Sequence, residues 1–384
     1  MDFNESSEHE MLRSSVAQLA ESYGHKYWVD KAKRREFASE LWNDLGKLGF
    51  LGVSLPETYG GGGMGLTELA IVVEELAAAG CPQMLLLVSP SIAGMVIAKF
   101  GTEAQKTAWL PGIADGSVIV AMALTEPNAG SNTHQISTRA QRQGGDYVIS
   151  GSKYFITGVR ASKYMLVLAR TDTSSARGLS MFIVPSDAPG IIANHLPVEV
   201  LEPEEQNTLF FDDVRVPADH LVGNEGDGLR ELFVGLNTER ILSAATTAGF
   251  SRYAVAKAKR YAVERKVWGV PIGSHQGVAH PLAEAAIQAE TARLMLQKAC
   301  WLYDTCDDNK AVGEASNMAK FVNAEACLTL LDTAIQVHGG NGLATETGLA
   351  TIWWLARLQR TAPVSREMVL NHFAQETLGL PRSY

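Results

Sequence analysis

The feature that most constrains this chain is a double change of hydrophobic period. In the first stretch apolar residues recur at helical spacing: Leu12, Val16, Leu19 and Tyr23, then Phe37, Leu41, Leu45 and Leu48, then Leu66, Leu69, Val73 and Leu76. Steps of three and four set them on one face of a helix. Between about 120 and 228 the texture turns to short runs rich in β-branched and aromatic residues, at 146–157, 164–169, 179–184 and 208–216, divided by Gly, Asp, Ser and Pro. That pattern predicts closely spaced antiparallel strands in a small barrel or sandwich. After Gly228 the helical period returns over 229–264, 276–305, 313–338 and 348–378, and short joints such as 269–273 predict a four-helix bundle. At 384 residues the chain exceeds one comfortable core. The expectation is a mainly α protein with a central β domain, divided as 1–120, 121–228 and 229–384.

Two glycine features punctuate the first part. Gly101 predicts a helix stop after the apolar run 91–100. Residues 60–63 are all glycine and lack the Gly-Lys-Ser/Thr that completes a phosphate loop, so they predict a mobile connection and not a nucleotide cradle.

Charge and cysteine usage exclude several functions. A net charge of −9 and no basic run disfavour a nucleic-acid surface. The cysteines, Cys81, Cys300, Cys306 and Cys327, form no paired motif and no metal spacing, and read as reduced core residues; no metal site is expected. No apolar run is long enough to span a bilayer, and the start lacks the pattern of a secretory signal. The expectation is a soluble, cytoplasmic protein.

The chemistry concentrates in residues 125–132, Thr-Glu-Pro-Asn-Ala-Gly-Ser-Asn, followed one strand later by 153–157, Lys-Tyr-Phe-Ile-Thr. Small hydrogen-bonding residues, a glycine that permits close backbone approach and a nearby aromatic suit a flat, polar, redox-active ring. Further motifs follow in order: 265–269 (Arg-Lys-Val-Trp-Gly), Gln276, and 336–342 (Gln-Val-His-Gly-Gly-Asn-Gly). Residues 55–61, 211–217 and 224–228 complete the series. In this order and over almost the whole chain, the motifs resemble the acyl-CoA dehydrogenase family.

The resemblance implies an FAD enzyme that forms a trans-2-enoyl thioester from an acyl-CoA and passes electrons to an electron-transfer flavoprotein. It implies a place in fatty-acid β-oxidation and a homotetramer or homodimer. Met122, Leu124, Thr125, Gly130, Ser131, Phe155 and Thr157 match positions around the flavin ring. Arg265, Trp268, Gln276, Gln336 and Gly340 match positions that reach a neighbouring subunit's flavin, and an arginine fork suits a pyrophosphate. Ser365 and Glu367 fall at late flavin-touching positions. Ser131, Asn237 and Arg240 match contacts to the coenzyme A arm.

One departure decides the choice of base. Many relatives carry a Glu in a late Tyr-Glu-Gly-Thr segment, but residues 357–365 here hold no acid. Isovaleryl- and long-chain-type members place the Glu on an earlier helix directly before an arginine, and residues 235–240, Gly-Leu-Asn-Thr-Glu-Arg, match that arrangement. Glu239 is therefore the expected base; beside Leu236, Ile241 and Leu242, desolvation raises its proton affinity. At the late position whose N–H helps bind the thioester oxygen in relatives, either Pro363, which has no N–H, or Ala362 stands here. His280 and His338 receive no role. Alternatives on the same scaffold are an oxidase, an eliminase, or a weakly catalytic subunit of a heteromeric enzyme.

Overall fold

The protein is described by a computed structural model covering residues 5–174 and 178–382. Helices come first: α1 (Ser7–Arg34), α2 (Ser39–Lys47), α3 (Leu66–Ala78), α4 (Met84–Val88), α5 (Met95–Phe100) and α6 (Glu103–Asp115). Ser6 caps α1 by accepting the His9 N–H, and Thr102 and Gln105 form a reciprocal capping box on α6. Gly101 ends α5 at the predicted place. The glycine run 60–63 is tied down, contrary to expectation. The N–H groups of Gly61, Gly62 and Gly63 donate to the carbonyls of Pro56, Gly52 and Leu55. A Cβ at Gly61 would collide with the Leu55 carbonyl, so the run serves close backbone approach.

The strands are β1 (Val120–Ala123), β2 (Arg139–Gln143), β3 (Asp146–Thr157), β4 (Tyr164–Arg170), β5 (Leu179–Pro185), β6 (Ile191–His195), β7 (Gln206–Pro217) and β8 (Leu221–Val222). They form one sheet in the order β6-β7-β3-β2-β4-β5-β8, with β1 beside β4. Two findings refine the predicted antiparallel barrel or sandwich. β1 runs parallel to β4, and β2 meets β4 through a single parallel pair, Arg139 with Arg170. The strand order stays open, and no closed barrel forms among the described residues.

The helical period resumes in α7 (Gly228–Glu264). A two-stranded hairpin, β9 (Lys266–Val267) and β10 (Val270–Pro271), leads to α8 (Gln276–Thr305) and α9 (Asn309–His338). The expected fourth segment, 348–378, is divided into α10 (Leu349–Gln359) and α11 (Arg366–His372), with a π-helical turn after it. Pro363 is the reason: its ring and missing N–H do not fit a helix interior, and the helix restarts on Ser365, which accepts the Met368 N–H.

Three apolar clusters hold these layers. One joins α1 to α3 with α7 to α10. A second joins α5, α6, β1, β4 and β5 to the start of α7, and a third lies within the sheet. An ion network crosses the first. The buried carboxylates of Glu74 and Glu75 on α3 meet Arg13 from α1, Arg252 from α7 and Arg293 from α8, while Glu5 pairs with both Arg13 and Arg293.

Candidate active site

The loop after β1 is built around a buried ion pair. Lys153 on β3 is fully buried, and its ammonium donates to the Leu124 carbonyl and to Glu126 Oε1, each at 2.9 Å. The Glu126 carboxylate also accepts the Ser137 N–H and hydroxyl and the Thr138 N–H. Burial alone would raise the Glu126 carboxyl, but Lys153 and these donors outweigh it and hold the group at about 2. Both ends of residues 124–138 are thereby fixed from below.

Above this clamp β3 carries a bulge. Its register with β7 slips between Lys153 and Ile156, and the Tyr154 N–H turns to the Thr125 carbonyl at 2.8 Å. Phe155 takes a left-handed backbone, φ 57, and remains 51% exposed. Bulges re-aim side chains beside functional sites. The Thr157 hydroxyl is engaged by both ends of the Gln206 amide, accepting from Nε2 at 3.0 Å and donating to Oε1 at 3.3 Å. Gly130 and Ser131 are exposed, and a Cβ at Gly130 would meet nothing within 4 Å. Met122 and Leu124 pack in the same cluster as Leu236, which links this loop to the start of α7.

Glu239 lies on that part of α7, flanked by the buried Ile241 and Leu242. Its carboxylate has no hydrogen-bond partner among the described residues. Burial pushes it up to about 7, against the opposing pull of Arg240 and Lys320. Arg240 is not ion-paired with Glu239: its Nη1 donates to Asn237 Oδ1 at 2.9 Å, and its guanidinium stands 5.7 Å from the Phe233 ring centre. In the late segment the Ala362 N–H is spent on the Leu358 carbonyl at 2.9 Å, and Pro363 has none. Neither residue offers a free N–H to a thioester oxygen. Ser365 uses its hydroxyl as the α11 cap, and the Glu367 side chain is 74% exposed.

A second grouping lies at the far end of the helices. Arg265 ends α7, and the hairpin turns on Trp268 and Gly269, both left-handed at φ 53 and 85. Trp268 is 88% exposed. Arg265 is exposed, and its guanidinium is without a partner among the described residues. Gln276 opens α8, while Gln336 and Gly340 flank the end of α9. Tyr261 joins the two ends, stacking on His338 at 4.3 Å and accepting from Asn341 Nδ2 at 3.2 Å. His338, with Nδ1 2.7 Å from the Ala334 carbonyl, is a packing residue.

An exposed aromatic beside an open, exposed glycine suits a flat heterocycle. An arginine without a partner among the described residues, three positions before an exposed tryptophan, suits an anionic group. Sequence reasoning missed the Lys153–Glu126 clamp, Gln206 and Lys320. For the clamp a signal existed, since a lysine and a glutamate both stand inside the two motifs.

Family models for the acyl-CoA dehydrogenase N-terminal, middle and C-terminal domains match residues 6–117, 121–214 and 226–378. The chain is 53% identical to acyl-CoA dehydrogenase FadE12 of Mycobacterium tuberculosis over 100% of this chain and 99% of that one. It is 32% identical to the mitochondrial long-chain specific acyl-CoA dehydrogenase of Sus scrofa, over 97% and 86%. A glutaryl-CoA dehydrogenase from Mycobacterium smegmatis in complex with FADH2 superposes with a TM-score of 0.92 at 25% identity, covering 99% and 97%. The chain belongs to the acyl-CoA dehydrogenase family. It is an oxidoreductase acting on acyl-CoA, with FAD as its cofactor.

Proposed function

We propose that the chain dehydrogenates an acyl-CoA between carbons α and β, with Glu239 accepting the α-proton and a trans-2-enoyl-CoA leaving. The observation that carries the reading is the state of Glu239: a carboxylate without a hydrogen-bond partner among the described residues, pushed up to about 7 by burial, in a chain with no acid in residues 357–365. A base so poised matches the operating pH. Bound FAD would supply the acceptor for the hydride from carbon β and a relay for its electrons to an electron-transfer flavoprotein.

The chain's own residues divide the remaining work. Met122, Leu124, Thr125, Gly130, Ser131, Phe155 and Thr157 surround the ring. Arg265, Trp268, Gln276, Gln336 and Gly340 serve the flavin of a neighbouring subunit in a homotetramer. Ser365 and Glu367 border the flavin from the late segment. Ser131, Asn237 and Arg240 hold the coenzyme A arm. We assign the three domains to 1–120, 121–228 and 229–384, and place the enzyme in cytoplasmic fatty-acid β-oxidation. The presence of Glu239 supports a working enzyme over an inert subunit, since an inert subunit needs no replacement base.

Anaerobic bleaching of the flavin by a panel of acyl-CoA thioesters tests this. Glu239→Gln keeps the shape but cannot take a proton, so reduction slows by roughly 10²–10⁴-fold. FAD content and acyl-CoA binding stay unchanged. Glu367→Gln, altering an exposed side chain, keeps most of the rate; near wild-type bleaching in Glu239→Gln rejects the assignment.

A further inference from the structure

Lys320 on α9 is buried and belongs to neither the flavin nor the coenzyme A residues above. Its ammonium donates to the Val364 carbonyl at 2.5 Å. One carbonyl is a partial partner for a buried cation, which is costly unless other charges answer it. The groups that answer are Glu325 from its own helix, Glu239 from α7 and Glu367 from α11, against Arg240 from α7.

α9 also grips the late segment on both flanks of Pro363. Glu325 accepts from Arg360 Nε at 2.7 Å and from Arg366 Nε at 3.1 Å, and the Arg366 guanidinium stands 5.4 Å from the Phe321 ring centre. The segment is also tied to α7. Ser243, one turn beyond Glu239 and so on the same helix face, donates to Gln359 Oε1 at 2.7 Å.

We propose that Lys320 is a positioning residue for proton removal: from α9 it holds residues 360–366 against the face of α7 that carries Glu239, and it brings a cation from a second helix to that side of the site. The inference rests on Glu239 being the base. The charged groups facing Glu239 are Arg240 on its own helix and Lys320 on α9. Without the Lys320 charge, burial is opposed by one cation fewer, and the carboxyl keeps its proton to higher pH. Abstraction needs the ionised form, so its acid limb moves upward.

The test compares wild type, Lys320→Gln, Lys320→Met, Lys320→Arg and Glu239→Gln. Gln keeps a donor for the Val364 carbonyl without the charge, Met keeps neither, and Arg keeps the charge. Bleaching rates are taken anaerobically from pH 5.5 to 9. Difference infrared spectra of the same FAD-loaded proteins against Glu239→Gln follow the carboxyl directly.

Both neutral variants are expected to bleach about tenfold more slowly at pH 6, the effect of moving the limb by one pH unit. Lys320→Gln regains most of the wild-type rate by pH 9. Lys320→Arg keeps the wild-type limb, and the infrared midpoint moves with the kinetic one. Neutral variants that lose rate equally at every pH, with the infrared midpoint unmoved, make Lys320 a plain strut and overturn the inference. Rapid bleaching by Glu239→Gln instead brings down the assignment of the base itself.

Discussion

Glu202 and Glu204 lie inside the protein, and each has one carboxylate oxygen with no partner among the described residues. Glu202 Oε1 accepts from Gln206 Nε2 at 2.6 Å, and Glu204 Oε1 accepts the Met84 N–H at 2.9 Å. Burial lifts Glu202 to about 7; burial and then the neighbouring Glu202 lift Glu204 to about 8. Both values lie above the unfolded carboxylate, so the folded chain binds more protons, and stability falls as pH rises from about 4.5 through 8. Glu204→Gln, which stays neutral and keeps an acceptor for Met84, is expected to unfold at higher temperature than wild type at pH 8.5. The two should converge at pH 5, as thermal scans at both values will show. Single residues of this kind were poorly legible in the sequence. Glu239 stood out because a family pattern pointed at it, whereas Lys153, Lys320, Glu202 and Glu204 carry side chains that ordinarily face water. Their burial is created by contacts between distant segments.

Among the elements, the loop 124–138 and the β9–β10 hairpin carry the clearest consequences. Lys153→Met leaves Glu126 buried without its cation, a change expected to cost about 3–5 kcal/mol in urea unfolding. FAD occupancy should fall with it, since the Leu124 carbonyl loses its anchor. Arg265→Ala leaves the fold untouched, because that guanidinium has no partner among the described residues, yet it is expected to weaken FAD retention by about 1.5–3 kcal/mol. Fluorescence of released FAD measures both. The long helices were legible because their apolar period persists over many turns. The break at 360–365 was not, although Pro363 marked it, since the period runs on across the proline. The parallel pairing of β1 was hidden for another reason: strand direction follows from the path of the connection and leaves no trace in a four-residue run.

For the molecule as a whole, the residues proposed to serve a flavin fall into two groups at different ends of the chain's architecture. If Arg265, Trp268 and Gln336 act on a neighbour's cofactor, FAD release couples to dissociation of subunits. Dilution is expected to liberate FAD and smaller species together, and added FAD to reverse both, as light scattering after size exclusion will report. Subunits that separate with FAD fully retained refute the shared site. Placing the base on α7 also leaves the late segment free of a carboxylate. We therefore expect branched or bulky acyl-CoA to be used at least as well as a short straight chain; strict preference for butyryl-CoA in the panel contradicts this.

The ion network around Glu74 and Glu75 has a consequence for how the protein is made. These two acids belong to an early helix, but of their three arginine partners only Arg13 precedes them on the ribosome. Arg252 and Arg293 emerge some 180 and 220 residues later. Until then the nascent helical layer holds an under-neutralised pair of carboxylates where its core has to close, and it stays open to water. The last long helices thus act as a latch on the first ones, and a chain stopped short of α8 should remain within reach of proteases along its whole amino-terminal third.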